Sequence, residues 1–114
     1  MKQIENITVS QLSEMAEKMY GGLVKAVVDI EKKIVVVDAE MHVDEEQLLL
    51  EQGSQQANLW GINLYPNKYG SDDFIEFDSM INIRPSANNM SRYINDATIR
   101  GRVIKLINET VKND

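Results

Sequence analysis

The stretch LVKAVVDIEKKIVVVDAEMHV, residues 23–43, decides the fold because apolar and other side chains alternate along both of its halves. Alternation with a period of two is typical of a β-strand that buries one face. We therefore predict one strand over residues 23–30 and a second over residues 34–43. Two strands joined by so short a connection form an antiparallel hairpin.

The register of this hairpin follows from the need to keep one face apolar. If Lys32 and Lys33 form a two-residue turn, Val28 pairs with Val37, and a four-residue loop keeps the same register. A three-residue loop would pair Val28 with Val36 and would mix the two faces. The pattern therefore favours an even number of loop residues, although Lys-Lys is unusual in a tight turn.

The flanking sequence adds a second hairpin and three helices. The segments NLWGINLYP, residues 58–66, and FIEFDSMINIRP, residues 74–85, read as two paired strands, and ITV near the start reads as a weak edge strand. Helices are predicted from the Thr8 cap to Gly21-Gly22, from Asp44 to Gly53 and from about Asp96 to Val111. Together these elements predict one α+β domain over residues 1–114. It is a two-layer sandwich, with three helices on one face of an antiparallel sheet of about four strands.

The composition excludes several classes of protein. There is no cysteine, which rules out disulfides, thiolate zinc sites and cysteine nucleophiles. The net charge of −6 disfavours general binding to nucleic acid. No apolar stretch approaches the ~20 residues that a membrane span needs. We therefore expect a soluble cytoplasmic protein with no membrane contact.

The alternation also predicts a polar sheet face that points away from the helices. A plain solvated face is the simpler interpretation, with Lys25 opposite Glu40 as a cross-strand ion pair. Five apolar residues interrupt this face, so a loop, a partner chain or a ligand is expected to cover part of it. They are Val27, Val36, Leu59, Phe74 and Met80. The polar residues are Lys25, Asp29, Asp38, Glu40, His42, Asp44, Asn63, Tyr65, Glu76, Asp78, Asn82 and Arg84.

The only histidine of the chain lies on this predicted face and makes a divalent metal the one cofactor to consider. On one strand, Glu40 and His42 would emerge about 7 Å apart on the same side. With Glu76 or Asp78 from a neighbouring strand they could hold manganese, iron or zinc. An exposed acidic strand explains the same residues without a metal.

A loop with an arginine at each end is the second candidate site. In RPSANNMSR, residues 84–92, backbone N–H groups and the guanidinium groups of Arg84 and Arg92 could cradle a phosphate or a carboxylate. The alternative is a connector whose arginines pair with nearby acids. The remaining ligand-binding candidates are Asn63, Tyr65, Asn82 and Ser91.

Two further functions have little support in the sequence. A triad of Ser79, His42 and an aspartate lacks the G-x-S-x-G elbow, and the alternation places Ser79 on the core face, opposite to His42. RNA binding could use Trp60 and Tyr65, but the predicted sheet face is rich in carboxylates.

Three motifs of the chain resemble those of a known family. They are AEMHVDEEQLLLEQGS, LWGINLYP and IEFDSMINIRPSANNMSR, followed by INDATIRGRVIKLIN. Together they are similar to a family of small bacterial and archaeal proteins described only as a domain of unknown function. The resemblance covers roughly residues 25–107 and implies no reaction. Where many members have glycine in the arginine loop, this chain has Asn88-Asn89.

These observations favour a binding or interaction domain for a small anionic ligand or a protein partner, including self-association. The polar sheet face and the loop between Arg84 and Arg92 would form one composite site. The alternative is a metal-assisted hydrolase or transferase that acts on a substrate bearing phosphate or carboxylate. In that case Glu40, His42 and Asp78 would hold the ion.

Overall fold

A five-stranded antiparallel sheet lies at the centre of the computed structural model, which describes residues 1–114. Its strand order is β1-β4-β3-β5-β6, and a separate parallel pair joins β2 to β7. The strands are β1 (Lys2–Ile4), β2 (Ile7–Thr8), β3 (Val24–Asp29), β4 (Ile34–Val37), β5 (Leu59–Leu64), β6 (Ile75–Glu76) and β7 (Val111–Lys112). The helices are α1 (Val9–Glu17), α2 (His42–Glu51) and α3 (Ala97–Thr110). The α+β class is confirmed, with five strands in the main sheet rather than about four.

The first hairpin forms as predicted, but its register is two residues from the predicted one. Val28 pairs with Val35 instead of Val37, so the loop holds residues 30–33. The Asp29 carboxylate closes this loop early, because its Oδ1 accepts hydrogen bonds from the backbone N–H groups of Glu31 and Lys32 at 3.0 and 2.9 Å. A shift by two residues keeps every side chain on the same face of the sheet. The alternation of apolar residues therefore does not distinguish the two registers.

The second strand of the hairpin ends six residues earlier than predicted. Asp38 adopts a left-handed conformation with φ of 71°, and the chain then turns into α2. Helix α2 begins at His42, two residues before the predicted start at Asp44. The expected pair between Lys25 and Glu40 is therefore absent, and Asp38 instead pairs with Lys18 at 3.5 Å.

The second hairpin is confirmed at β5 but not along its predicted partner. Only Ile75 and Glu76 pair with β5, and the segment that follows forms short 3₁₀ turns at Met80–Asn82 and Pro85–Ala87. The prediction of a strand as far as residue 85 was wrong because side chains replace the backbone as partners of β5. Asn82 binds both the N–H and the carbonyl of Gly61, at 2.8 and 2.9 Å.

Helices cover both faces of the sheet, so the prediction of two layers with all three helices on one face was wrong. Helices α1 and α3 pack on a large core that includes Ala26, Val28 and Trp60. On the other face, Leu49 of α2 packs against a smaller cluster. That cluster contains Val27, Val36 and Leu59. These three residues interrupt the predicted polar face because α2 covers them.

Helix ends follow the local signals closely. Thr8 and Gln11 form the predicted capping box of α1, although α1 ends at Glu17, before Gly21. Asp96 caps α3, whose predicted span is confirmed to within a residue. The ITV segment contributes β2, which pairs with β7 rather than with the main sheet. No helix is both long enough and apolar enough to cross a membrane.

Candidate functional site

The ion pair between Asp78 and Arg92 lies between two cavities and links them. Arg92 donates from Nε to Asp78 Oδ1 at 2.6 Å and from Nη2 to Oδ2 at 3.2 Å. This two-point contact fixes the plane of the guanidinium group. Arg92 lines both cavities, which we call the acidic groove and the His42 pocket.

The acidic groove is an open depression of about 830 Å³ beside β6. Four carboxylates line it against two cationic side chains, Lys68 and Arg92. The Glu76 Oε1 atom accepts hydrogen bonds from Asn63 Nδ2 at 2.7 Å and from Tyr65 Oη at 3.1 Å. Burial raises the pKa of Tyr65, and its bond to Glu76 adds to the effect. This surplus of negative charge makes the groove unfavourable for an anion.

The His42 pocket is smaller, about 160 Å³, and lies at the start of α2. Its lining consists of Lys25, Met41, His42, Val43, Ser79, Met80, Ile81 and Arg92. The imidazole Nε2 atom lies 2.7 Å from the Ile62 carbonyl oxygen, which can only accept. Nε2 therefore carries a proton, and in the neutral ring Nδ1 is an unprotonated acceptor.

Burial keeps the His42 ring neutral at neutral pH. Desolvation lowers the pKa of His42 below its ordinary value of 6.5, and the positive charge of Lys25 lowers it further. The hydrogen bond to Ile62, the charge of Asp78 and the Asn63 side chain partly oppose this shift. The ring is thus a neutral group that is held in place by the Ile62 carbonyl.

Four kinds of hydrogen-bond donor meet at the His42 pocket. Lys25 has no ion-pair partner, and Arg92 lines the pocket while it pairs with Asp78. The Ser79 side chain is 1% exposed, and its Oγ accepts from the Ile81 N–H at 3.3 Å while its own proton has no acceptor. The N-cap residue of α2 is Met41, and no side chain caps the helix. The Asp44 N–H donates to the Met41 carbonyl at 3.2 Å, and the N–H groups of His42 and Val43 have no side-chain acceptor.

The pocket brings together two residues that the alternation placed on opposite faces. Ser79 and His42 both line it, because neither belongs to the strand in which it was predicted. The imidazole Nε2 of His42 is held by Ile62, so this nitrogen does not act as a base toward the serine.

The two arginines of the loop at residues 84–92 do not converge on a common site. Arg84 is buried, and its Nη2 donates to the carbonyl oxygens of Leu59 and Ile81 at 2.8 and 3.3 Å. Its guanidinium carbon lies 4.8 Å from the centre of the Trp60 ring. Arg84 lines neither cavity, and it has a packing role that the sequence pattern did not reveal.

Amides inside this loop support its shape. Asn89 donates from Nδ2 to the carbonyls of Asn82, Ser91 and Tyr93, at 2.7, 3.1 and 2.8 Å. Asn88 is left-handed, with φ of 57°. Asparagine tolerates this conformation better than most residues.

The predicted metal ligands do not assemble. No group of three or more His, Asp or Glu side chains is placed to hold a metal ion. Glu76 holds Asn63 and Tyr65, and Asp78 holds Arg92. Glu40 lines a separate depression beyond the end of β4. The metal hypothesis required β4 to extend through His42, and that strand ends at Val37.

Sequence reasoning missed Glu45, a fully buried carboxyl group in the first turn of α2. Its Oε2 accepts from the Ala39 N–H at 3.2 Å, whereas Oε1 has no partner. Burial raises the pKa of Glu45 to about 9, so the group is protonated at neutral pH. The run DEEQ around it is typical of an exposed first turn, and no signal in it identified the buried member.

Comparison with known proteins gives a family but no activity. The sequence model of a family described as "Protein of unknown function (DUF5674)" matches residues 2–110. No curated protein and no solved structure matches the chain. Since the match covers nearly the whole sequence, this protein belongs to the DUF5674 family of proteins of unknown function.

Proposed function

We propose that the protein is a binding domain and that its His42 pocket binds a small anion. The observation that carries this proposal is the convergence of donors. Lys25, Arg92 and the buried hydroxyl of Ser79 line one cavity at the uncapped start of α2. Charged donors and helix N-termini are the groups with which proteins hold carboxylates and phosphates.

The charge balance around the pocket supports an anion rather than a cation. Arg92 is neutralised by Asp78, but Lys25 has no acidic partner. Glu45 lies in the first turn of α2, yet its pKa of about 9 leaves it uncharged at neutral pH. A protonated Glu45 carries no charge, so it does not cancel the partial positive charge at the start of α2. Asp44, the other acid of that turn, lines the separate depression that also contains Glu40.

Binding is favoured over catalysis because no hydrogen bond joins the candidate base to the candidate nucleophile. The His42 ring contacts the Ile62 carbonyl, and Ser79 Oγ accepts from the Ile81 N–H at 3.3 Å. A general base has to reach the proton that it removes, within about 3 Å or through one water. The arrangement is that of groups fixed in place to recognise a ligand.

A titration of the purified protein with inorganic phosphate and with acetate tests this proposal. The signal is the NMR resonance of the His42 ring, which is unambiguous because the chain has one histidine. We expect saturable shifts, and we expect Lys25→Met to weaken binding by about tenfold or more, since hydrogen bonds to charged groups contribute ~1.5–3 kcal/mol.

Lys105→Met is the matched control, because Lys105 is an exposed lysine of α3 that lines neither cavity. This variant should bind as the unsubstituted protein does. Absence of saturable binding for both anions, or equal affinity in Lys25→Met, would show that the pocket is not an anion site.

A further inference from the structure

We propose that the outer edge of β6 binds an extended basic segment of another protein, which adds a strand to the main sheet. β6 is the last strand in the sheet order, so no strand of the protein lies on its far side. Two cavities meet at this edge, the acidic groove and an apolar groove of about 500 Å³ beside α3. Apart from Arg92, they share no lining residue with the His42 pocket.

The main chain of β6 leaves hydrogen-bonding groups unpaired at this edge. The Tyr65 N–H donates to the Phe74 carbonyl at 2.9 Å, and hydrogen-bonded pairs alternate along an antiparallel ladder. Ile75, which lies opposite Leu64, therefore directs its N–H and its carbonyl away from β5. Phe77 makes no backbone hydrogen bond within the protein. The backbone of an added strand supplies partners for such groups.

The two faces of β6 lead into different grooves. Ile75 and Phe77 pack against the large core and line the apolar groove together with Ile104 of α3. Glu76 lies between them in the sequence and on the opposite face, where Asn63 Nδ2 donates to it at 2.7 Å. Successive side chains of a strand alternate between faces. An added strand therefore directs every second side chain into the apolar groove and the others toward the carboxylates.

Unpaired carboxylates determine the charge of the partner. Asp72, Asp73 and Glu76 line the acidic groove without an ion-pair partner, against Lys68 as its one unpaired cation. A second copy of the chain carries a net charge of −6 and a nucleic acid is also negative, so both are disfavoured. The segment that fits has lysine or arginine at alternate positions and apolar side chains between them.

A five-residue peptide of alternating valine and lysine, with valine at both ends and with acetyl and amide caps, is the probe. Its binding is followed on the backbone NMR resonance of Phe77 at low ionic strength. We expect saturable shifts. The same peptide with glutamate in place of lysine should bind about tenfold more weakly or less, because its charges are repelled by the acidic groove.

Two N-methylated forms of the lysine peptide distinguish strand addition from attraction by charge alone. Only every second residue of a strand directs its N–H toward a given neighbour. Methylation of the amides of one set, the valines or the lysines, should therefore abolish binding, while methylation of the other set should preserve it. Equal binding of the two methylated peptides would overturn strand addition.

The double variant Asp72→Asn, Asp73→Asn tests the acidic groove itself. Both side chains are exposed, and we expect the lysine peptide to bind about three- to tenfold more weakly. Glu14→Gln, Glu17→Gln is the matched control, since it removes the same charge from exposed positions of α1 that line neither groove.

Three results would overturn the proposal. They are equal affinity of the two double variants, absence of saturable binding of the lysine peptide, and a shift of the Phe77 resonance with protein concentration alone. The last result would show that a second copy of the chain occupies this edge instead.

Discussion

At the scale of single residues, a side chain can complete a β-sheet. The outer edge of β5 pairs with backbone only at Asn63 and Leu64. Farther along, Asn82 supplies a donor and an acceptor to Gly61, and Arg84 donates to Leu59. An asparagine amide carries the same polar groups as a peptide unit, so it can replace one rung of the ladder. The sequence showed which residues are polar here, but not that two of them bind the strand.

Replacing Asn82 by alanine should therefore destabilise the protein strongly. The change leaves the N–H and the carbonyl of Gly61 without their partners in a site where Asn82 is fully buried. Each unsatisfied buried group costs about 1–3 kcal/mol, so the free energy of unfolding should fall by about 3 kcal/mol. Urea denaturation measures this loss. The control Asn108→Ala changes an exposed asparagine of α3 and should have little effect, and equal stability of the two variants would contradict the role of Asn82.

At the scale of elements, alternation predicted where strands begin better than where they end. The pattern of residues 23–37 gave the hairpin and its two faces. The alternating pattern continues as far as residue 43, but the strand ends at Val37. It ends there because Asp38 is left-handed and the chain then turns into α2. The prediction of the candidate site was incomplete for the same reason. His42 was identified, whereas its partners were not, since they depend on how α2 and the turn at Met80–Asn82 meet.

The contact between that turn and β5 requires a glycine at position 61. A Cβ atom on Gly61 would lie 2.6 Å from the Cβ of Ser79 and 2.7 Å from its Oγ. We expect Gly61→Ala to lower the free energy of unfolding by about 1–3 kcal/mol, the usual cost of overpacking. The double variant Gly61→Ala, Ser79→Gly removes the clash and should recover part of that loss. Thermal denaturation of the three proteins provides the measurement, and a double variant that is less stable than Gly61→Ala alone would argue against this packing.

At the scale of the whole molecule, covering both faces of the sheet buries ionisable groups that a one-sided sandwich would leave in water. Helix α2 carries Glu45 into the second core and places His42 against the sheet edge. Both shifts favour the neutral form, as burial does. Their effects on stability have opposite pH dependence. The pKa of His42 is lowered, so its contribution to stability is lost as the pH falls below 6.5.

Glu45 makes the opposite contribution, and Glu45→Gln isolates it. Its pKa is about 9 in the folded protein and 4.5 ordinarily, so between these values the folded state binds more protons than the unfolded state. The free energy of unfolding should therefore fall as the pH rises through this window, by up to about 1.4 kcal/mol per pH unit. Glutamine keeps an acceptor for the Ala39 N–H but does not titrate. Urea denaturation from pH 6 to pH 9 should show that the stability advantage of the unsubstituted protein over Glu45→Gln shrinks steadily. All other ionisable groups are common to both proteins, so two parallel pH profiles would mean that Glu45 is already ionised in the fold.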